Sequence, residues 1–288
     1  MCSFRMIVSK ISRVRFWAAA LLAAGAALGP AISGQAHEIW IETDASARIG
    51  RDQEVRVCWG HSGHKEGGAR LAGHESKLSL CLLGPGGRTG LKLTQADDCF
   101  VAKFAPAGAG FYLVGAELQT GIIEREMHSI PAKTRIVMYG KSYVLAGGGR
   151  AEMPAPLGFD LEIVPAGLTG EPKPGDVFPV KVLHKGQPTG GKKVLVTAAT
   201  AGSLPPSEDP RIQTSEWSLE AMADPKTGEA AFPLIVGGQH LFTVKYLDET
   251  PGTYDGDRND SSGFSHLRKG DKYERTMYVS TLTVQVRK

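Results

Sequence analysis

Three histidines near the start of the expected mature chain have the types and spacing of metal ligands. His37 directly follows a stretch typical of a secretory signal peptide, and His61 and His64 lie three residues apart on a glycine-bearing loop. Imidazole nitrogens suit nickel, copper, zinc and iron ions, and glycine lets a loop turn so that two rings reach one ion. The alternative for the loop is a solvated surface turn without ligands.

His37 gains a second donor if the chain is cleaved after Ala36. Residues 1–36 combine a basic, acid-free start, an apolar stretch ending near Leu28, and small residues at Gly34 and Ala36. This pattern predicts a signal peptide and export, with the periplasm as the destination. A free α-amine titrates near ~7.7–8.0, so it can bind an ion beside the ring of the same residue. The alternative is that His37 comes first by chance.

Two histidines further along the chain extend this set. His74 lies ten residues after His64, and His128 is placed to reach the site from a later strand. The predicted metal ligands are therefore His37, His61, His64 and His128, with His74 as an extra candidate. Nickel, cobalt, copper and zinc share these ligand types, so the residues alone do not choose among them.

The net charge of the precursor is carried by the segment that would be removed. The whole chain has 33 basic and 30 acidic residues, and four of the basic ones lie in residues 1–36 with none of the acidic ones. The remaining 252 residues have a net charge of −1, which gives no argument for nucleic acid or an anionic membrane as a partner. No later segment approaches the ~18–20 apolar residues of a spanning helix.

Three cysteines remain after residue 36, and export would allow them to form a disulfide. Cys81 and Cys99 lie in consecutive strand-like segments and are the predicted pair. Cys58 is then a free thiol, interpreted as a buried structural cysteine, with a metal thiolate as the alternative.

Short alternating apolar runs, bounded by turns rich in glycine and proline, predict strands throughout the mature chain. In the first half these are His37–Glu42, Glu54–Trp59, Leu78–Leu83, Cys99–Phe104, Gly110–Gln119 and Arg135–Leu145. In the second half they are Asp160–Val164, Val177–Leu183, Lys193–Thr200, Glu229–Ile235, His240–Tyr246 and Thr276–Arg287. Two long loops are expected, over Ala201–Trp217 and Asp248–Lys272.

A turn-rich linker divides these strands into two groups. Glycines and prolines cluster over residues 146–156. The predicted fold is all-β, with two tandem immunoglobulin-like β-sandwich domains. The first, residues 37–150, contains the candidate metal site, and the second covers residues 156–288. A single large jelly roll is the alternative.

The sequence contains no motif that indicates an enzyme. Nucleophile-elbow, Walker and His-Glu-x-x-His patterns are all absent from the sequence. The acidic segment Asp255–Asp260 fails the EF-hand pattern, because Asp260 stands where glycine is required and His266 where glutamate is required. We therefore expect a flexible acidic loop there and no catalytic activity.

Several phrases of the chain resemble a periplasmic family associated with nickel and cobalt transport. The mature start, AHEIWIE over residues 36–42, resembles that family's AHEFW-like opening, and Gly60-His61 matches its GH phrase. Further similar phrases lie at residues 139–141, 158–165 and 182–188. The resemblance implies a periplasmic all-β accessory protein that binds or delivers nickel or cobalt. It places His37 and His61 on the family's histidines and implies no established reaction.

The expected partner is accordingly a metal transporter or an outer-membrane receptor. Two alternatives stay open at this point. One is a copper site of the histidine-brace kind, in a copper chaperone or an oxidative enzyme, and the other is a metal-free module whose sandwiches present loops to a protein or glycan.

Overall fold

The computed structural model is built almost entirely of strands. It describes residues 37–61, 64–66, 73–127, 129–148, 151–168, 170–201, 216–261 and 265–287. Among these residues, no helix is long and apolar enough to cross a membrane. The described chain from His37 onward belongs to one compact unit.

The strands are numbered in chain order. The first half of the chain contains β1 Glu38–Glu42, β2 Ser46–Ala47, β3 Gln53–His61, β4 His64–Lys65, β5 Leu78–Gly84, β6 Gly87–Gly90, β7 Thr94–Gln95, β8 Cys99–Phe104, β9 Gly110–Ile123 and β10 Thr134–Ala146. The second half contains β11 Leu161–Pro165, β12 Val177–His184, β13 Gln187–Pro188, β14 Leu195–Ala201, β15 Glu216–Met222, β16 Glu229–Pro233, β17 Gly238–Asp248, β18 Gly252–Thr253, β19 Asn259–Ser261, β20 Ser265–Arg268, β21 Lys272–Tyr273 and β22 Arg275–Val286. A 3₁₀ turn, Glu75–Lys77, precedes β5.

Three sheets form the body of the protein. The central sheet has eleven strands in the order β15-β14-β17-β22-β10-β9-β20-β19, with β2 beside β10 and β5-β6 beside β9. The N-terminal sheet has the order β1-β3-β8-β7, with β4 paired to β3. The C-terminal sheet has the order β11-β12-β13, with β16 paired to β12. A separate two-stranded sheet joins β18 and β21.

The central sheet is covered on both faces around β10. Along this strand Ile136, Met138 and Val144 pack into one apolar cluster with residues of the N-terminal sheet. The alternate residues Val137, Tyr139, Tyr143 and Leu145 pack into a second cluster with residues of the C-terminal sheet. Successive side chains of a strand point to opposite faces, so the central sheet is the middle of three layers. Because both faces are covered, β10 is buried almost throughout.

The central sheet joins the two halves of the chain through a parallel strand pair. β10 pairs with β22 in parallel, from Thr134 opposite Arg275 to Ser142 opposite Thr283. On its other edge β10 pairs antiparallel with β9. β22 in turn pairs antiparallel with β17 over the whole of that strand. Strands from both halves therefore share one hydrogen-bonded sheet.

The structure confirms the all-β prediction, and a strand lies at each of the twelve segments predicted from alternation. The tandem arrangement of two immunoglobulin-like sandwiches is not confirmed, because the halves share the central sheet. The division into residues 37–150 and 156–288 stays a prediction. The loop expected over residues 248–272 contains β18, β19, β20 and the start of β21. Of the other expected loop, residues 202–215 lie outside the described residues, and Glu216 begins β15.

A buried ion pair connects β10 to the start of the second half. The Lys141 ammonium donates to a carboxylate oxygen of Glu162 at 2.7 Å, and each side chain is 2% exposed. The same carboxylate accepts hydrogen bonds from the backbone amides of Leu157 and Gly158 at 2.8 and 3.0 Å. Burial lowers the pKa of Lys141, while the charge and hydrogen bond of Glu162 oppose that shift. Because three donors meet this carboxylate, it fixes the connecting segment against the central sheet.

Replacing Lys141 with methionine should destabilise the protein by about 3–5 kcal/mol, because it leaves the Glu162 carboxylate buried without its cation. Chemical denaturation measures this free energy of unfolding. The matched control is Lys193→Met. Lys193 forms a solvent-exposed ion pair with Glu249 at 3.4 Å, and their side chains are 75% and 69% exposed. That change should cost less than about 1 kcal/mol. Equal effects of the two substitutions would contradict the anchoring role of Lys141.

Candidate metal centre

Strand β1 is held directly over the central sheet, and this fixes where the chain enters the fold. The Thr281 hydroxyl on β22 donates to the Ile39 carbonyl at 2.7 Å. On β10, Gly140 lies so close to β1 that a Cβ atom there would stand 3.3 Å from the Ile39 carbonyl oxygen and from the Trp40 Cα. Such contacts are tighter than ordinary packing, so glycine is what lets β1 lie this close.

The register between β1 and β3 brings two of the predicted ligands together. Glu38 is the Cα partner of Gly60, so His37 and His61 stand at the same end of the N-terminal sheet. Their ring centroids are 4.3 Å apart. Strands paired in this antiparallel way bring the start of one beside the end of the other, which is what places the two rings together. Their role as metal ligands stays a prediction.

Glu66 joins the two histidines through one carboxylate oxygen. Its Oε1 lies 3.0 Å from Nε2 of His37 and 3.3 Å from Nε2 of His61. The backbone amide of Glu66 donates to the Trp59 carbonyl at 2.9 Å, which sets this residue beside the end of β3. One donor atom from each of the three residues falls within a mutual distance of 4.8 Å. All three side chains are partly exposed, at 23–34%, so an ion in solution can reach them.

Trp59 forms the apolar floor of this cluster. It is 7% exposed and stacks on the His37 ring, with centroids 4.9 Å apart and planes at 22°. Its indole also stacks on His74, at 5.2 Å and 22°. The Nδ1 atom of His74 is buried and has no hydrogen-bond partner within the described part of the chain. Burial lowers the pKa of His74, and the nearby Lys77 charge adds to that effect.

Lys65 forms two ion pairs that anchor β4, the short strand directly before Glu66. Its ammonium lies 2.7 Å from Glu42 on β1 and 3.4 Å from Asp98 beside β8. Burial works against the charged form of Lys65, but the hydrogen bond to Glu42 and the surrounding negative charges outweigh it and raise its pKa. Lys65 therefore ties β4 to both β1 and the neighbourhood of β8, which limits how far Glu66 can move.

The remaining predicted site residues fall in different places. The backbone of His64 on β4 is the register partner of His61, and its side chain lies outside the described part of the structure. His128 also lies outside the described residues. The predicted Cys81–Cys99 pair is not brought together. Cys81 on β5 belongs to the central sheet, whereas Cys99 on β8 lies opposite Cys58 in the N-terminal sheet, and all three are free cysteines.

Sequence reasoning missed Glu66 and Trp59 as parts of this cluster. Both stand in the same short phrase as the predicted histidines, Trp59 two residues before His61 and Glu66 two residues after His64. Alternation with a period of two puts Trp59 on the same face of β3 as His61. Glu66 follows β4, so finding it required the antiparallel pairing of β3 with β4 to be recognised first.

Comparison with known proteins gives a family but no activity. The family model described as "Domain of unknown function (DUF4198)" matches residues 34–248. No curated protein matches the chain. A variant of Salmonella alpha-2-macroglobulin is similar at 10% identity and a TM-score of 0.26, covering 88% of this chain and 15% of that one. Trypsin-activated alpha-2-macroglobulin from Escherichia coli is similar at 9% identity and a TM-score of 0.25, covering 88% and 22%.

At these TM-scores the two structural similarities imply nothing about the fold or the function of this chain. The chain spans less than a quarter of either alpha-2-macroglobulin, and their activity carries no implication for it.

The imidazole ring of His74 should be neutral at pH 7. As the pH falls, its lowered pKa should reduce the free energy of unfolding. Its pKa in the folded protein lies below the ordinary ~6.5 of the unfolded chain, so the unfolded chain binds more protons during acidification. The associated stability is present in full above pH ~6.5 and is lost as the pH falls through the folded-state pKa. His74→Phe keeps a ring against Trp59 and removes this titration.

Denaturation of both proteins in metal-free buffer between pH 7.5 and 5 measures the effect. The stability of the original protein should fall relative to that of the His74→Phe variant as the pH decreases. Parallel curves over this range would contradict a buried, neutral His74.

Proposed function

The chain belongs to the DUF4198 family, whose function is unknown, and we propose that it is an exported protein that binds one divalent transition-metal ion. The proposed ligands are His37, His61 and Glu66. The observation that carries the proposal is the convergence of these three side chains at one accessible end of the N-terminal sheet. His37 directly precedes β1, whereas His61 ends β3 and Glu66 follows β4, the strand paired with β3.

The spacing of two of the three donor pairs already suits a shared ion. Transition metals bind imidazole nitrogen and carboxylate oxygen at about 2.0–2.2 Å, so adjacent ligands around one ion stand roughly 3 Å apart. The two distances from Glu66, 3.0 and 3.3 Å, match that separation. The third donor pair, between the two histidines, lies within 4.8 Å, so its atoms need to approach by less than about 2 Å to bind the same ion.

The proposed cleavage after Ala36 would supply a fourth donor. The α-amine of His37 would then belong to the same residue as the ring that contacts Glu66. A free amine can lose its proton near neutral pH and bind an ion, whereas the amide nitrogen of an uncleaved or extended chain is not a comparable donor. Export and metal binding are therefore chemically linked in this proposal.

The identity of the ion is proposed from the resemblance of the sequence to the nickel- and cobalt-associated family. The ligand types alone indicate only that the ion is a divalent transition metal. Two imidazoles and a carboxylate suit divalent iron, cobalt, nickel, copper and zinc, with copper bound most tightly in the usual order of affinities. The resemblance to nickel- and cobalt-associated proteins favours those two ions as cargo. We propose a periplasmic accessory role, in which the protein hands its ion to a metal transporter or an outer-membrane receptor.

A copper site of the histidine-brace kind is the second candidate. The specific observation in its favour is the pairing of an expected N-terminal histidine, His37, with a second ring only 4.3 Å away. It differs from the first proposal in needing the α-amine and both rings, with Glu66 dispensable.

The decisive experiment is calorimetric titration of metal-free protein that begins at His37, using nickel, cobalt, copper and zinc in turn. We expect one ion per chain. His61→Ala and Glu66→Gln should each weaken binding by at least about tenfold, equivalent to about 1.4 kcal/mol. An extra alanine before His37 should weaken binding as well, because it converts the amine into an amide.

His266→Gln is the matched control, because this partly exposed histidine also contacts carboxylates, Asp271 and Glu124, but lies away from His37. It should leave the affinity unchanged. Loss of copper binding on extending the chain, with no effect of Glu66→Gln, would favour the histidine brace. No binding of any of the four ions by chain starting at His37 would overturn the metal proposal and leave the metal-free interaction module.

A further inference from the structure

Two cysteines face each other across neighbouring strands of the N-terminal sheet. Cys58 on β3 is the Cα partner of Cys99 on antiparallel β8. Residues directly opposite in an antiparallel pair point to the same face, with Cα atoms roughly 4.5–5.5 Å apart. Disulfides span Cα separations of roughly 4.4–6.8 Å, so the register alone puts these two residues within bonding geometry.

Both sulfurs are closed off from solvent, although the Cys99 thiol donates a hydrogen bond to Asp98 and the charge of Arg56 lies nearby. Cys58 and Cys99 are both fully buried, in a small cluster with Trp40 of β1 and Leu241 of β17. Cys81 does not belong to this cluster, since its neighbours across the strands are Gly115 on β9 and Gly90 on β6. Among the three cysteines after residue 36, the register therefore selects one pair.

We propose that Cys58 and Cys99 form a disulfide when the chain folds in an oxidising compartment, cross-linking β3 to β8. The oxidant is a disulfide, of a protein or of a small thiol. One cysteine thiolate attacks it to give a mixed disulfide and release one thiol, and the second cysteine then displaces the other thiol. Two cysteine thiols become one disulfide, and the two electrons and two protons appear in the two thiols of the reduced oxidant.

The buried position decides when this exchange can occur. Burial raises the pKa of both thiols, that of Cys99 to about 11, and the reactive species is the thiolate. In the closed sheet the two thiols are protonated and shielded from any oxidant. The bond therefore has to form before β3 and β8 close over it, and once formed it is equally shielded from reductants.

The bond would brace the part of β3 that leads to the candidate metal centre. Cys58 is followed at once by Trp59, and His61 ends the same strand. On β8 the partner Cys99 comes directly after Asp98, which contacts Lys65. The cross-link therefore ties together two strands that already hold the surroundings of Glu66. It rests on the proposed function only through the export of the chain, and it forms independently of any metal, so loss of metal binding would leave it intact.

The test is thiol mapping of the exported protein. The protein is denatured without reductant, alkylated with iodoacetamide, digested and analysed by mass spectrometry. We expect alkylation at Cys81 alone, together with a cross-linked pair of peptides containing Cys58 and Cys99. Alkylation at all three cysteines, or a cross-link that includes Cys81, would overturn the proposal.

Cysteine-to-serine variants provide an independent test of the disulfide. Cys81→Ser should keep the bridge, whereas Cys58→Ser and Cys99→Ser should each release the other thiol for alkylation. Reduced, unfolded protein refolded with oxidised glutathione should melt on the order of 5–10 °C higher than the same protein refolded with reduced glutathione. This difference in melting temperature should persist in the Cys81→Ser variant and disappear in the Cys99→Ser variant. If a serine variant fails to fold, the mapping of the unaltered protein still decides.

Discussion

Strand β10 is bonded along both edges and covered on both faces, and the positions of the other layers follow from it. One edge pairs with β9 of its own half, and the other pairs in parallel with β22, the last strand of the chain. A strand with no free face can carry a charged residue only if a partner is buried with it, because isolated buried charges are costly. Glu162 supplies that partner for Lys141 and brings the amides of residues 157 and 158 with it.

The same strand positions the candidate metal centre from a distance. Gly140, the residue before Lys141, is where β1 crosses the central sheet, and Thr281 on the parallel neighbour β22 holds the Ile39 carbonyl. The register of β1 on β3 then puts His37 beside His61. A side chain at position 140 would require β1 to shift by a few tenths of an ångström. A buried glycine in the middle of the fold thus permits the close approach of the strand that follows His37.

The individual strands could be predicted from local sequence, whereas the pairing of strands that are distant along the chain could not. Alternation of apolar residues gave the strands, since it depends only on neighbours along the chain. The parallel pairing of β10 with β22 joins residues about 140 positions apart, and no local pattern encodes it. That pairing is what separates the observed shared sheet from the expected pair of sandwiches. The approach of His37 to His61 was predictable because β1 and β3 are consecutive long strands. The position of Cys99 opposite Cys58 was not predictable, because it depends on the pairing of β3 with β8, which are far apart along the chain.

The geometry around Glu66 bears on whether the histidine cluster is merely structural. One carboxylate oxygen lies within 3.3 Å of a nitrogen from each of two rings, which are themselves 4.3 Å apart. Two imidazole nitrogens and one carboxylate oxygen thus converge at a partly exposed end of the N-terminal sheet. A structural hydrogen bond to that oxygen needs only one histidine, whereas a divalent ion can bind both nitrogens and the carboxylate together. The presence of the second ring at the same oxygen is therefore the feature that favours a set of metal ligands.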